Sequence, residues 1–181
     1  MKKESIKNHL KSYSIYDKRK TTINHAFASA IAPADNYDES VITKALIKLG
    51  QDPNDDLLCI YCGAKAETWD HLIGLVFEGN LRGFGHQIGN LIPSCKKCNS
   101  SKGGKDFKIF IKTSDNINTN PESLIETLNS YQNKYSKPIN FNNFSPENEK
   151  LYKKYNEIKE NIFELMKKAD AIADILRKEI I

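Results

Sequence analysis

All four cysteines fall in two Cys-x-x-Cys pairs, Cys59/Cys62 and Cys95/Cys98. Two residues between thiolates let both face one ion, and zinc takes four soft ligands at tetrahedral corners. Small or helix-starting residues follow each pair: Gly63-Ala64 after the first, Asn99-Ser100 after the second. The gap between the pairs is longer than in a simple zinc ribbon, so other residues are inserted between two knuckles. Disulfides need an oxidising compartment, and a thioredoxin-like motif uses one pair, not two. The spacing therefore predicts a structural Zn²⁺ site of four cysteines. Such a site is closed, so any chemistry lies elsewhere.

The insert carries Trp69-Asp70-His71-Leu72 and then Gly89-Asn90-Leu91-Ile92-Pro93, and the second knuckle runs on as Cys98-Asn99-Ser100-Ser101-Lys102-Gly103. Asp70 and Asn99 offer hard oxygens suited to Mg²⁺. His71 can take a proton near neutral pH. The Asn90 amide can hold an imidazole N–H and fix its tautomer. On a helix, Cys95, Cys98, Asn99 and Lys102 lie at i, i+3, i+4 and i+7, one face, so zinc would pin the turn that delivers Asn99 and Lys102. One point resists a simple reading. Neighbours on a regular strand face opposite ways, so Asp70 and His71 share a site only near a strand end or distortion.

Asp-His, then Gly-Asn-Leu, then Cys-x-x-Cys-Asn-x-x-Lys-Gly resembles the HNH endonucleases of the ββα-metal (His-Me finger) superfamily, in the branch braced by two zinc knuckles. The resemblance spans about Leu57 to Lys105. It implies His71 as general base, Asp70 as a ligand to catalytic Mg²⁺ (or Mn²⁺), Asn90 as the orienting asparagine and Asn99 as a second metal ligand where histidine is usual. It implies DNA as substrate and products with 5′-phosphate and 3′-hydroxyl ends. A role in restriction or phage defence is the first expectation. The alternatives are a non-catalytic zinc-braced DNA-binding module and a nuclease subunit that needs a defence-system partner protein.

The charge pattern agrees with a polyanionic substrate. The net charge of +4 is mild, but residues 94–112 hold Lys96, Lys97, Lys102, Lys105, Lys108 and Lys112 against only Asp106. Such a stripe suits a phosphate backbone, or is a solvated helix face. Lys96, Lys97, Lys102, Lys105 and His86 are the candidate DNA contacts. No apolar run approaches the ~20 residues of a bilayer span, and no apolar h-region follows the charged N-terminus. A cytoplasmic protein with no membrane partner is expected.

Positioning these groups requires an α+β fold, mainly helical: a ββα-metal finger braced by four cysteines, flanked by N-terminal helices and a long C-terminal helix. Three regions are expected: helical 1–56, the finger 57–112, and 113–181 with an Asn-rich loop and the long helix. In the first region, apolar residues recur at helical spacing, Pro33 interrupts, and Asp35 or Asp38 can cap a second helix that Gly50 ends. Strands are expected at Thr68–Leu75 and Leu91–Pro93, and a helix opening on Ser94 as N-cap and stopping at Gly103-Gly104. Phe107–Lys112 reads as a further helical turn and Pro121–Tyr131 as an amphipathic piece. The last helix is expected over Pro146–Ile181, capped by Ser145. Its Leu151, Tyr155, Ile158, Ile162, Leu165, Ala169, Ile172 and Leu176 form a heptad seam. That seam packs against the chain's own N-terminal helices or against a second copy, as a homodimer.

Overall fold

The computed structural model describes residues 2–180. In chain order the helices are α1 (Ile15–Ile31), α2 (Glu39–Lys48), α3 (Lys96–Lys102), α4 (Phe107–Thr113), α5 (Pro121–Tyr135) and α6 (Pro146–Ile180). The strands are β1 (Thr68–His71), β2 (Val76–Phe77), β3 (Asn80–Leu81) and β4 (Leu91–Ser94). The chain divides into two compact units, one from the described parts of 1–27 and 143–181, the other from 28–142. These units cut across the three sequence regions: residues 28–56 and 113–142 join the finger. The last expected helical residue, Ile181, lies outside the described residues.

The larger unit is built on an antiparallel pair, β1 with β4, in the register Thr68↔Ser94, Trp69↔Pro93, Asp70↔Ile92 and His71↔Leu91. Helix α3 follows β4 directly, giving a ββα finger. The long β1–β4 connection carries the β2–β3 hairpin. Around the finger, Leu49, Tyr61, Leu72, Ile92, Phe107, Phe110, Ile111, Leu124, Leu128 and Tyr131 form one buried cluster. Helices α4 and α5 supply six of these ten, because their apolar residues recur every three or four positions. Asp38 caps α2 by accepting from Val41 N–H at 3.1 Å. The alternative cap, Asp35, instead accepts from Ile88 N–H at 2.7 Å.

Two sequence expectations are corrected. Strand β1 stops at His71, not Leu75. The Asn90 side chain takes over from the ladder: its Oδ1 accepts from Ile73 N–H at 2.8 Å and its Nδ2 donates to Ile73 O at 3.1 Å. The N-cap of α3 is Cys95, not Ser94. Cys95 Sγ accepts from Cys98 N–H at 3.4 Å. Ser94 ends β4, fully buried, and its hydroxyl donates to Cys95 O.

In the smaller unit, α6 caps and packs α1. The Asp170 carboxylate accepts from Ile15 N–H (2.7 Å), Tyr16 N–H (3.0 Å) and Ser14 Oγ (2.9 Å), and so completes the α1 N-terminal cap that Ser14 Oγ begins by accepting from Asp17 N–H (3.1 Å). Those backbone N–H groups hold its carboxyl below the usual range. Tyr16 meets Phe163 edge-on at 5.7 Å, and Tyr155 donates to Phe27 O at 3.1 Å. The packing therefore runs along Tyr155, Phe163 and Asp170, a flank of the heptad seam. Leu151, Ile158, Leu165, Ile172 and Leu176 of that seam remain exposed. Among the described residues, no helix is long and apolar enough to cross a membrane.

Candidate functional site

The two knuckles meet. The Sγ atoms of Cys59, Cys62, Cys95 and Cys98 all lie within 4.8 Å of one another, and Cys62 Sγ is 3.7 Å from Cys95 Sγ. Zinc with Zn–S bonds of about 2.3 Å at tetrahedral angles needs S···S edges of roughly 3.8 Å, so this donor set fits the ion. Cys62 and Cys95 stand well beyond the roughly 2.05 Å of a disulfide, and all four thiols are free. Burial pushes the Cys98 thiol up, and the neighbouring thiols add to it. At Cys59 burial also pushes up, but backbone hydrogen bonds from Cys95, Cys62 and Tyr61 outweigh it and bring the thiol to about 7. The first knuckle is tied to β4 by Ile60 N–H to Pro93 O at 3.0 Å. A metal here would cross-link that knuckle to the start of α3.

Alternation along β1 sorts the remaining candidates onto two faces. Thr68 and Asp70 face α3. Trp69 and His71 face away from it. On the α3 side, Asn99 Nδ2 donates to Thr68 Oγ1 at 3.0 Å. Lys102 Nζ lies 3.1 Å from Asp70 Oδ1 and donates to His71 O at 2.7 Å. Tyr61 donates its hydroxyl to Asp70 Oδ2 at 3.0 Å. Both side chains of the Asp70–Lys102 pair are almost wholly buried, at 6% and 1% exposure. Burial pushes the Asp70 carboxyl up, while the Lys102 charge and the Tyr61 hydroxyl pull it back. Burial and the Asp70 charge push the Tyr61 phenol far up.

This network changes what Asp70 and Lys102 offer. The Asp70 carboxylate is buried and already neutralised by Lys102, so a Mg²⁺ ion held by Asp70 and Asn99 would stand beside an ammonium ion while Lys102 keeps its place. Lys102, sealed at 1% exposure, does not reach solvent to meet a phosphate. Lys96, Lys97 and Lys105 are exposed; Lys96 pairs with Glu67 at 3.3 Å, and Lys105 donates to Ser101 O.

On the other face, His71 Nε2 lies 3.1 Å from His86 Nδ1, the rings edge-to-face. Four contacts hold His86 there. His86 N–H donates to Pro33 O at 2.8 Å and Asp35 N–H to His86 O at 3.2 Å. Asn90 Nδ2 donates to Gly85 O at 3.0 Å, and the Asp35 side chain holds Ile88 N–H. Residue 85 must be glycine: a Cβ there would stand 2.0 Å from Pro33 O. Asn90, fully buried, thus binds backbone on both sides of the site, at Ile73 after His71 and at Gly85 before His86. Its amide holds the two histidine-bearing segments together, where the sequence suggested a grip on an imidazole.

Sequence reasoning missed Tyr61 and the 33–35 segment. Tyr61 sits inside the first knuckle and carries no motif signal. Pro33 and Asp35 lie far from the insert in sequence, and they are joined to it only in the fold, by the backbone bridge Ala34↔His86 and the Asp35 carboxylate on Ile88 N–H.

Residues 59–105 match the family model of the HNH endonucleases, about a quarter of the chain. Neither the curated proteins nor the solved structures give a match to this chain.

Proposed function

We propose, from the premise that residues 59–105 form an HNH finger with a two-knuckle zinc brace, that the chain is a DNA endonuclease in which His71 activates water. The observation that carries this reading is the His71–His86 pair, mounted at the end of β1 on a unit whose helix four thiolates can pin. HNH nucleases act on DNA and use divalent metals.

His71 is the general base. Its Nε2 pairs with His86 Nδ1 at 3.1 Å, which fixes the aim of the imidazole that takes the proton. Water gives a proton to the His71 imidazole as its oxygen attacks phosphorus; the P–O3′ bond breaks opposite the attack, the O3′ alkoxide takes a proton from solvent water, and the imidazolium returns its proton to solvent. The products carry 5′-phosphate and 3′-hydroxyl ends. His86 is a positioning residue, and Asn90 keeps the imidazoles in register through the backbone. Lys96, Lys97 and Lys105 neutralise flanking phosphates. Asp70 and Lys102 act from behind: the ammonium fixes the His71 carbonyl and so the strand end that bears the base. No step is assigned to Mg²⁺ at Asp70.

Cleavage of supercoiled plasmid by purified protein, with Mg²⁺ or Mn²⁺ and with neither, tests the reading. Failure of the wild type under every metal condition would leave a DNA-binding module, or a subunit that needs a partner protein. A restriction or defence role is tested separately, by phage plating on cells carrying the gene.

The exposed, heptad-spaced Leu151, Ile158, Leu165 and Ile172 support a homodimer through α6. Two copies would put two one-strand sites on a duplex.

A further inference from the structure

A cleft of about 320 Å³ opens in the larger unit, lined by Tyr37, Ile42, Leu46, Trp69, Leu91 and the ring of Tyr131, among others. Its walls are almost entirely apolar. The Tyr131 hydroxyl is satisfied by backbone, its one proton shared between the carbonyls of Ile88 and Leu91. Two of its aromatic rings are nevertheless open to solvent, Trp69 at 49% and Tyr37 at 82% exposure. Such a surface costs hydration free energy unless something covers it. Its size is at the small end of ligand sites, which run to roughly 300–1,000 Å³.

The position identifies the occupant. Trp69 and His71 are alternate residues of β1 on one face, about 6.6–6.8 Å apart by strand rise. Leu91, another wall, is the cross-strand partner of His71. A phosphate at His71 therefore places the base of an adjoining nucleotide over Trp69. Every base has a π face, and exposed indole and phenol rings are stacking platforms for unpaired bases. The walls named here present hydrocarbon and ring faces, not groups that read base edges.

We propose that this cleft binds one unpaired nucleobase next to the scissile phosphate, by stacking on Trp69 and Tyr37 and without reading its identity. The inference rests on the nuclease reading for the phosphate at His71. A base held in a duplex cannot enter, so the substrate is single-stranded at this step, or one base is turned out of its stack. The finger then favours single strands, gaps and mismatches over intact duplex.

Trp69 is the only tryptophan, so its fluorescence reports the cleft directly. Full-length His71→Ala protein, used to stop cleavage, is titrated with a short single strand, the same strand with abasic sugars, and the matching duplex. The base-bearing strand should quench Trp69 and bind roughly 5- to 150-fold more tightly than the abasic strand, the value of one stacked base. The abasic strand should bind through its phosphates without quenching. Anisotropy of a labelled strand should show Trp69→Phe close to the parent and Trp69→Ala weakened by that factor, with zinc content and melting temperature unchanged in both. Equal quenching by the abasic strand, or parent-like binding by folded Trp69→Ala, overturns the proposal. So does quenching that follows protein concentration without oligonucleotide, which would mean a second copy fills the cleft. None of these readouts needs cleavage. A wild type that never cuts would sink the nuclease reading and leave base stacking to be judged by itself.

Discussion

Lys102→Met removes the ammonium from the buried pair and keeps most of the stem that fills its place. The partners are 3.1 Å apart at 1% and 6% exposure, so water does not replace the lost charge. Removing one member of a buried pair typically costs about 3–5 kcal/mol. For a unit of this size that is a fall in Tm on the order of 10–20 °C. The loss depends on pH. Burial already pushes the Asp70 carboxyl up, and Lys102 is the main pull downward; without it the carboxyl rises further. An acid whose folded-state pKa lies above its unfolded value adds stability below the unfolded pKa and loses it as pH rises through the folded one. The deficit of Lys102→Met should therefore be smallest in acid and complete near neutrality. Calorimetric melts at about pH 5.5 and about pH 8, with zinc content checked in each sample, read this out. Lys102→Met/Asp70→Leu, which removes both charges, should recover most of the lost stability. Added Mn²⁺ should raise the Tm of Lys102→Met more than that of the wild type, because the Asp70 carboxylate, left with only the Tyr61 hydroxyl, then has no countercharge. If Lys102→Met melts within about 2 °C of wild type at pH 8, Asp70 is not held by Lys102, and the case against Asp70 as a metal ligand falls with it.

His71→Ala should lower plasmid cleavage by on the order of 10²–10⁴ with the fold retained; cutting at the wild-type rate would remove His71 from the mechanism. His86→Asn keeps an acceptor near the Nδ1 position and should preserve most activity, whereas His86→Ala should lose it. Histidine ¹⁵N spectra should show the His71 tautomer shift in His86→Ala alone, and equal rates for the two variants would rule out orientation by His86. Cys98→Ser should give unfolded or aggregated protein, because structural zinc contributes on the order of 10 kcal/mol; soluble wild type lacking zinc by metal analysis would refute the brace. Asn90→Ala strands three backbone groups, one buried and two part-buried, and should cost a few kcal/mol, about 1–3 for a fully buried unmet group, with faster hydrogen exchange at Ile73; an unchanged exchange rate would refute the clamp. Sedimentation should show a dimer of the 20.6 kDa chain at micromolar concentration, and Leu165→Glu should dissociate it; a wild-type monomer with and without DNA would refute the α6 interface.

The sequence by itself determined the four-cysteine cluster, the ββα order and the face of α3, because each rests on local spacing. Cys-x-x-Cys turns two thiolates to one ion, and the i, i+3, i+4, i+7 set fixes a helix face whatever surrounds it. The C-terminal ends of α2 and α3 were legible for the same reason: Gly50 and Gly103 take the positive φ of +73° and +50° that stops a helix. Tertiary structure decided where the charges and amides went. Asp70 and His71 are neighbours in sequence, but strand alternation sends them to opposite faces, and Lys102, delivered by α3, claims the buried one. Asn90 could satisfy an imidazole or a backbone equally well by its chemistry. Only the closed β1–β4 pair put Ile73 and Gly85 within its reach. His86 is placed by Pro33 and Asp35, fifty residues away in the chain, a contact no local pattern encodes. The heptad seam of α6 was plain as a pattern, but which flank packs on α1 was set by Tyr16, Phe27 and the α1 N-terminus, whose unmet N–H groups needed Asp170.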